Sequence, residues 1–297
     1  MSVIEVATTS LPVKKRGRRR LSPAFLLILP SMIFMVAFFG YPTVQAVLAA
    51  FTDQNGPTLT YAAHMWNDPN FGLAVRDTLL LIVAVIPIQF ALALIMALAL
   101  QAKPKFAALH FYLWAVPFAI SDLAAGLVWL SIFDDNGYIN SLLVDMGFKS
   151  IGWLNYQNYF GMLAAVAIAE IWRATSLVLI IIVSGMQGIP ADYGEAAAVF
   201  GASPWQRFWH VTMPMLKPSL QVALILRTIL AFQTFAVAQA LTGQTFPLLV
   251  GETYRYYQSL LNPNVASVYA VLILVISMIT AAVYLRLLRD QTIEGNQ

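Results

Sequence analysis

Apolar residues in this chain come in long runs rather than in alternation with polar ones. Six stretches reach the roughly 20 mostly apolar residues that a helix needs to cross a bilayer. They are residues 23 to about 51, interrupted by Pro30 and Pro42; 78–100; about 106–133, with His110 and Asp122; about 160–184, with Glu170 and Arg173; 220–241, with Arg227; and about 266–285. None keeps a strict two-residue period, so an outer-membrane barrel is not expected. Lipid cannot satisfy free peptide groups, so the runs predict helices. The expected fold is all-α, a polytopic membrane bundle of six transmembrane helices.

Composition agrees. Of the 297 residues, 60% are apolar and 10% charged, against about 25% charged in an average soluble domain. A soluble globule could not cover its surface with so few polar side chains. The absence of cysteine excludes disulfides, thiolate metal sites and cysteine nucleophiles. His64, His110 and His210 are scattered, and no HExxH occurs, so no metal site is expected.

Charge sets direction. Twelve Lys and Arg fall on one side of the expected spans: six between Lys14 and Arg20, then Lys103, Lys105, Arg207, Lys217, Arg286 and Arg289. Only Arg76, Lys149 and Arg255 fall on the other. The positive-inside tendency then places both termini in the cytoplasm. The basic run followed by an apolar run looks like a signal peptide, but the apolar run is too long, and it reads as an uncleaved first span. The basic run itself is either a topology anchor or a lipid- or nucleic-acid-binding arm. The exterior loops, 52–77 and 134–159, are too short for folded domains.

The loop between the fourth and fifth spans holds most of the local signals. Pro190 suits a helix start, Asp192 and Glu195 sit near its positive end, and the alanines favour helix to Phe200. Gly201 then supplies a turn. Ser203 and Pro204 suit the cap and first position of a second helix, on which Trp205, Phe208, Trp209 and Thr212 form one stripe. Pro214 and Pro218 are expected to end it before the fifth span. Such a hairpin suits docking into a groove on another protein or lying in the lipid interface.

The spacing Glu195-Ala196-Ala197-x3-Gly201-Ala202-x5-Phe208-x5-Pro214-x3-Pro218 closely resembles the EAA loop of ABC-importer permeases. Residues 22–288 are similar to the carbohydrate-uptake branch of that family, through Tyr41-Pro42, Thr78-Leu79-Leu80, Glu170-Ile171-Trp172-Arg173 and Arg227-Thr228 with Ala231-Phe232. The resemblance implies a type I importer fold. Residues 1–22 would be a basic cytoplasmic tail, 23–288 the permease domain with its coupling loop at about 186–218, and 289–297 a second cytoplasmic tail. It implies that Glu195, Ala196, Ala197, Gly201, Phe208 and Pro214 form the coupling element against a separate ATPase. It also implies two ATPase copies, a second homologous permease and an extracytoplasmic solute-binding protein as partners, in the cell membrane, with no nucleic acid. The sequence departs from the family at Leu230 and Gln233, where charges are usual, and the glycine-rich stretch is reduced to Gly243-Gln-Thr-Phe-Pro.

Charges within spans are costly and mark function or pairing. Glu170 and Arg173, three apart on one helix, could pair with each other or contact solute. Arg227 could snorkel to the cytoplasm or reach a neighbouring subunit. Asp122 could line the path or cap an irregular stretch near Gly126. Gln233, Thr234 and Gln239, with Gln89, offer uncharged hydrogen bonds suited either to a hydroxyl-rich solute or to helix packing. No GxxxxGK[ST] occurs, so ATP and Mg are expected on the partner ATPase, with no cofactor on this chain. No catalytic set converges within the spans, so no enzyme is expected. The resulting expectation is the permease subunit of an ATP-driven, binding-protein-dependent importer for a sugar or polyol, forming half of the path. The alternatives are a non-carbohydrate solute such as glycerol phosphate, or a stand-alone secondary transporter, against which the missing inverted repeat argues.

Overall fold

The computed structural model describes residues 23–287; the tails expected at 1–22 and 289–297 lie outside the described residues. The chain divides after Gln45 into two units. In the first, α1 (Pro23–Met35) passes through a π-type turn at Val36–Gly40 into α2 (Tyr41–Phe51). The Tyr41 N–H bonds the Val36 carbonyl, five residues back, just before Pro42. A proline ring in a regular helix collides with the carbonyl four residues earlier. Widening the turn ahead of Pro42 lets the helix continue.

The second unit begins within α2 and opens with a two-stranded antiparallel hairpin, β1 (Thr52–Asp53) and β2 (Gly56–Pro57), followed by the short α3 (Thr60–Trp66). The helix α4 (Pro69–Gln101) starts well before the expected 78, because Asp68 caps it. The Asp68 Oδ1 accepts the Asn70 N–H at 2.7 Å, and Pro69 occupies the first helical position, where its missing N–H costs nothing. Next come α5 (Ala107–Ala119), α6 (Asp122–Phe133), α7 (Tyr138–Asp145) and the 29-residue α8 (Tyr159–Gln187).

The third expected span is two helices. The stretch after Ile120–Ser121 turns by 100° from α5. Ser121 is extended, and its Oγ accepts the Ala124 N–H at 3.2 Å, so it caps a new helix. Asp122 therefore opens α6 instead of lying deep within a continuous span.

Beyond α8 lie α9 (Ala191–Val199), α10 (Pro204–Arg207), a π-type turn (Phe208–Thr212) and α11 (Met213–Phe232). The expected stop at Pro214 and Pro218 does not occur. Helix runs without interruption from Pro204 to Phe232, because the Met213 N–H reaches back five residues to the Phe208 carbonyl, just before Pro214. This is the device already seen ahead of Pro42. The fifth span also ends earlier than 241. Gln233–Phe235 are non-helical, and α12 (Ala236–Thr242) starts anew. Unwound backbone at membrane depth needs protein cover, and here α12 packs on α6 and α8. The chain closes with α13 (Leu249–Tyr254), a third π-type turn (Arg255–Ser259) and α14 (Pro263–Leu287).

Among the described residues five helical stretches are long and apolar enough to cross a membrane, and the bent α5–α6 pair is a sixth candidate crossing. Three apolar clusters fill the second unit. One joins α4, α6, α8 and α12 around Val85, Val166 and Val237. Another joins α3, α4, α13 and α14 around Leu249 and Tyr269. The last joins α4, α8 and α11 around Ala93, Leu179 and Leu216. Small residues allow the closest approaches. A Cβ at Gly126 would stand 2.6 Å from the Ala240 Cβ. Gly126→Val should therefore force α12 off α6 and cost about 1–3 kcal/mol, read as a lower melting temperature in detergent. Gly72→Ala, whose Cβ would meet nothing within 4 Å, should stay near wild type.

Candidate functional site

Four helices meet at one buried polar chain. Glu170, on α8, and Arg227, on α11, are 1% and 2% exposed, and their side chains join at 3.0 Å. The Arg227 Nε donates to the Gln89 Oε1 of α4 at 2.8 Å, and the Gln89 Nε2 donates to the Glu170 carbonyl at 2.9 Å. Arg173 lies 3.5 Å from the other Glu170 oxygen and 2.8 Å from the Asp122 Oδ1 of α6. The internal pairing of Glu170 with Arg173 is thus one link of a longer chain. Arg227 turns inward and neither snorkels nor projects. Two carboxylates and two guanidiniums leave no net charge, which suits a low-dielectric setting where an unpaired ion is costly.

Of the uncharged path candidates, Gln239 lines a small recess with Phe235, Gln244, Glu252 and Arg255. Gln233 is exposed at the helix break and Thr234 is buried beside it. Asp122, 51% exposed, lies one turn before Gly126, which packs against the helix bearing Gln239.

The loop between α8 and α11 takes the expected hairpin form. Gly201 has φ +80°, a left-handed conformation that side chains with a Cβ resist. The Gly201 and Ala202 N–H groups bond the Ala198 and Ala197 carbonyls at 3.0 Å and 3.0 Å, closing α9. Ser203 then starts α10 with a capping box: its Oγ accepts the Gln206 N–H at 3.3 Å, and the Gln206 Oε1 accepts the Ser203 N–H at 2.8 Å. Glu195, Ala196 and Pro214 are exposed, while Ala197 and Phe208 are half-buried. Trp205, Phe208 and Trp209 pack ring on ring, with centroids 5.1–5.9 Å apart. Phe200 projects at the turn, 90% exposed.

A second ionic cluster, which the sequence reading missed, sits outside the spans. Arg255 approaches Asp68 and Glu252 at 2.5 Å each. The Tyr256 hydroxyl donates to Asp68, and Asn70 donates to Glu252 at 3.3 Å. The cluster ties the start of α4 to the π-type turn before α14. Burial pushes the Asp68 carboxyl up, but bonds from Tyr256, the Asn70 N–H and Arg255 outweigh it and hold it below its usual value. For Glu252 burial wins over Arg255, and its carboxyl is raised. Burial and the bond to Asp68 push Tyr256 up to about 12, so it stays a donor. The Asp-Pro-Asn helix-start signal and the three-residue spacing of Glu252 and Arg255 were visible in the sequence. Their meeting across 187 positions was not.

Residues 77–292 match the model of the family described as binding-protein-dependent transport system inner membrane component. The chain belongs to this family. It is 32% identical to the sulfoquinovosyl glycerol transport system permease protein of Agrobacterium fabrum, over 90% of this chain and 91% of that one. It is 29% identical to the lactose transport system permease protein of Rhizobium radiobacter, over 71% and 73%. In structure it is similar to a chain of a bacterial ABC transporter that imports alginate, with TM-score 0.79, 18% identity and coverage of 91% and 96%. The protein is thus a multi-pass inner-membrane permease of a binding-protein-dependent importer. Its family is a transport component and not an enzyme.

Two outcomes follow from the ionic geometry of this permease. Glu170→Gln leaves the buried Arg227 without a carboxylate and Arg173 with Asp122 alone, whereas Arg227→Met leaves Glu170 beside Arg173. Glu170→Gln should cost the larger amount, about 3–5 kcal/mol, in melting measurements on the purified protein; the reverse order would show that Arg173 leans on Asp122 alone. Asp68, with its lowered folded value, stabilises above the ordinary Asp range of about 4 and loses that contribution as pH falls through the lowered value. Asp68→Asn should cost about 1.5–3 kcal/mol at pH 7, and the difference from wild type should shrink below pH 4. A difference independent of pH would show that the carboxylate charge is not what holds Arg255.

Proposed function

We propose that this permease forms half of the translocation path of an ATP-driven importer for a sugar or related polyol. A second homologous permease supplies the other half. Two copies of a cytoplasmic ATPase bind ATP and Mg, the loop of about 186–218 couples this chain to the ATPase, and an extracytoplasmic binding protein delivers the solute. Both termini face the cytoplasm, in line with the distribution of Lys and Arg. The observation that carries the reading is likeness along nearly the whole chain to a permease named for sulfoquinovosyl glycerol, joined by one named for lactose. The uncharged Gln233, Thr234 and Gln239 support it, because hydroxyl-rich solutes are held by such groups, and Asp122 stands one helical turn from the contact between α6 and α12. Glu195, Ala196, Ala197, Gly201, Phe208 and Pro214 are assigned to coupling. ATP-driven closure of the ATPase pair moves the loop and biases the bundle between inward- and outward-facing states.

The test is reconstitution of the four-subunit complex with its binding protein in liposomes. Gly201→Val strains the left-handed turn by about 1–2 kcal/mol, and Glu195→Lys reverses an exposed charge. Both should leave the complex assembled while uptake and solute-stimulated ATP hydrolysis fall at least tenfold. Wild-type values per assembled complex would reject this loop as the coupling element.

A further inference from the structure

Among the described residues six are arginines, and four of them lie within 4.0 Å of a carboxylate: Arg76, Arg173, Arg227 and Arg255. Arg286 is exposed near the end of α14. Arg207 is neither paired with a carboxylate nor exposed. It is half-buried at the end of α10, its Nε is shielded from solvent, and that nitrogen has no hydrogen-bond partner. It stands in a notch of about 420 Å³ between α9 and α10, with Ala197, Phe200, Gln206 and His210. The His210 Nδ1 is already engaged by the Gln206 carbonyl at 3.0 Å. The acids nearest in sequence, Asp192 and Glu195, are exposed on α9, and neither forms an ion pair with Arg207.

We infer that Arg207 is the receptor for an acidic side chain of the ATPase subunit, so that the loop presents a two-signed footprint. This rests on the coupling role proposed above and adds a partner chemistry to it. Three features point the same way. An arginine stem held by packing has little rotamer freedom left to lose, so binding an anion costs it less entropy. Charge left unpaired on a docking surface is complementary to the opposite sign on the partner. The exposed Phe200, which lines the same notch as Arg207, offers an apolar anchor, the kind of residue that dominates an interface. The partner surface should therefore place a cation opposite Glu195, a pocket for Phe200 and a carboxylate opposite Arg207. A patch of one sign could bind in several registers, whereas a patch with acid on α9 and base on α10 fixes one orientation. Like charges brought together in the reversed pose would repel.

The experiment measures ATPase capture by the permease pair in detergent, at low and high salt, for wild type, Arg207→Lys, Arg207→Gln, Arg207→Glu and Gly201→Val. The expected result is a loss of affinity of about tenfold for Arg207→Gln, a larger loss for Arg207→Glu, and recovery to within about threefold for Arg207→Lys. The salt dependence should also flatten in Arg207→Gln, a readout that a merely structural role would not move. Equal capture by the Lys and Gln variants would overturn the inference, even where the Glu variant failed to assemble. Repeating the measurement in nanodiscs with and without anionic lipid separates the other source of an anion: an Arg207→Gln effect present only with anionic lipid would assign the notch to a headgroup and overturn the proposal. If every Arg207 variant binds like wild type while Gly201→Val, still captured, loses solute-stimulated ATP hydrolysis, the coupling role stands and only this inference falls. No capture by wild type would remove both.

Discussion

The pairing of Glu170 with Arg227 is the constraint on which the packing of this bundle depends. Neither ion could stand alone at that depth, where the cost of an unpaired charge reaches several kcal/mol. The pair can form only if α8 and α11 hold one rotation and one depth relative to each other. Gln89 extends the requirement to α4, since its amide is used twice, once toward each partner. Apolar packing in lipid offers no such precision, because a leucine loses little by exchanging a protein neighbour for an acyl chain. On α4, Gln89 falls between Val85 and Ala93, which belong to different apolar clusters. The polar chain therefore lies at the seam between the two clusters and fixes the register of both.

The outer cluster does for the helix ends what the inner one does for the middle. Asp68 caps α4 and also accepts from Arg255 and Tyr256, so one carboxylate both starts a helix and ties it to the turn before α14. The aromatic rings of Tyr256 and Tyr269, 5.6 Å apart, continue that tie into the apolar cluster below. The loop between α8 and α11 is built on a different plan. Its hydrogen bonds are local, within the capping box and the Gly201 turn, and Glu195, Phe200 and Trp205 are exposed. Surface left exposed in this way suits contact with another chain more than self-stabilisation.

Much of this could be read from the sequence, and the failures share a cause. The apolar runs gave six crossings because bilayer thickness sets a length that composition reveals. The Gly201 turn was visible because a single residue type meets a single backbone demand. The errors fell where helix continuity depends on more than local preference. Pro214 and Pro218 read as stops, yet a π-type turn absorbs Pro214 within an unbroken helix. The runs 106–133 and 220–241 read as continuous, yet they break at Ser121, where the serine caps a new helix, and at Gln233–Phe235, after which α12 packs on α6 and α8. Arg227 read as snorkelling or reaching a neighbouring subunit because its partner Glu170 lies 57 residues away, and no periodicity reports such a distance. The Asp68 cluster was missed for the same reason.

The continuity of Pro204–Phe232 changes the mechanical picture of the loop. Had the prolines ended α10, a flexible joint would have separated the docking surface from the membrane, and motion at Gly201 would have dissipated there. Instead the helix that begins at the Ser203 cap carries Trp205 and Arg207 at one end and Arg227 further along. Its 29 residues correspond to about 43 Å at 1.5 Å per residue. In the coupling role proposed for this loop, a displacement of the exposed end would reach the Glu170–Gln89 junction through one unbroken helix. The π-type turn at Phe208–Thr212 lies between the two, and such turns are places where helices often bend at functional sites. The break at Gln233–Phe235 ends the lever just short of Gln239. Movement of α11 can thus alter the surroundings of the uncharged glutamines without dragging α12 from its seat on α6.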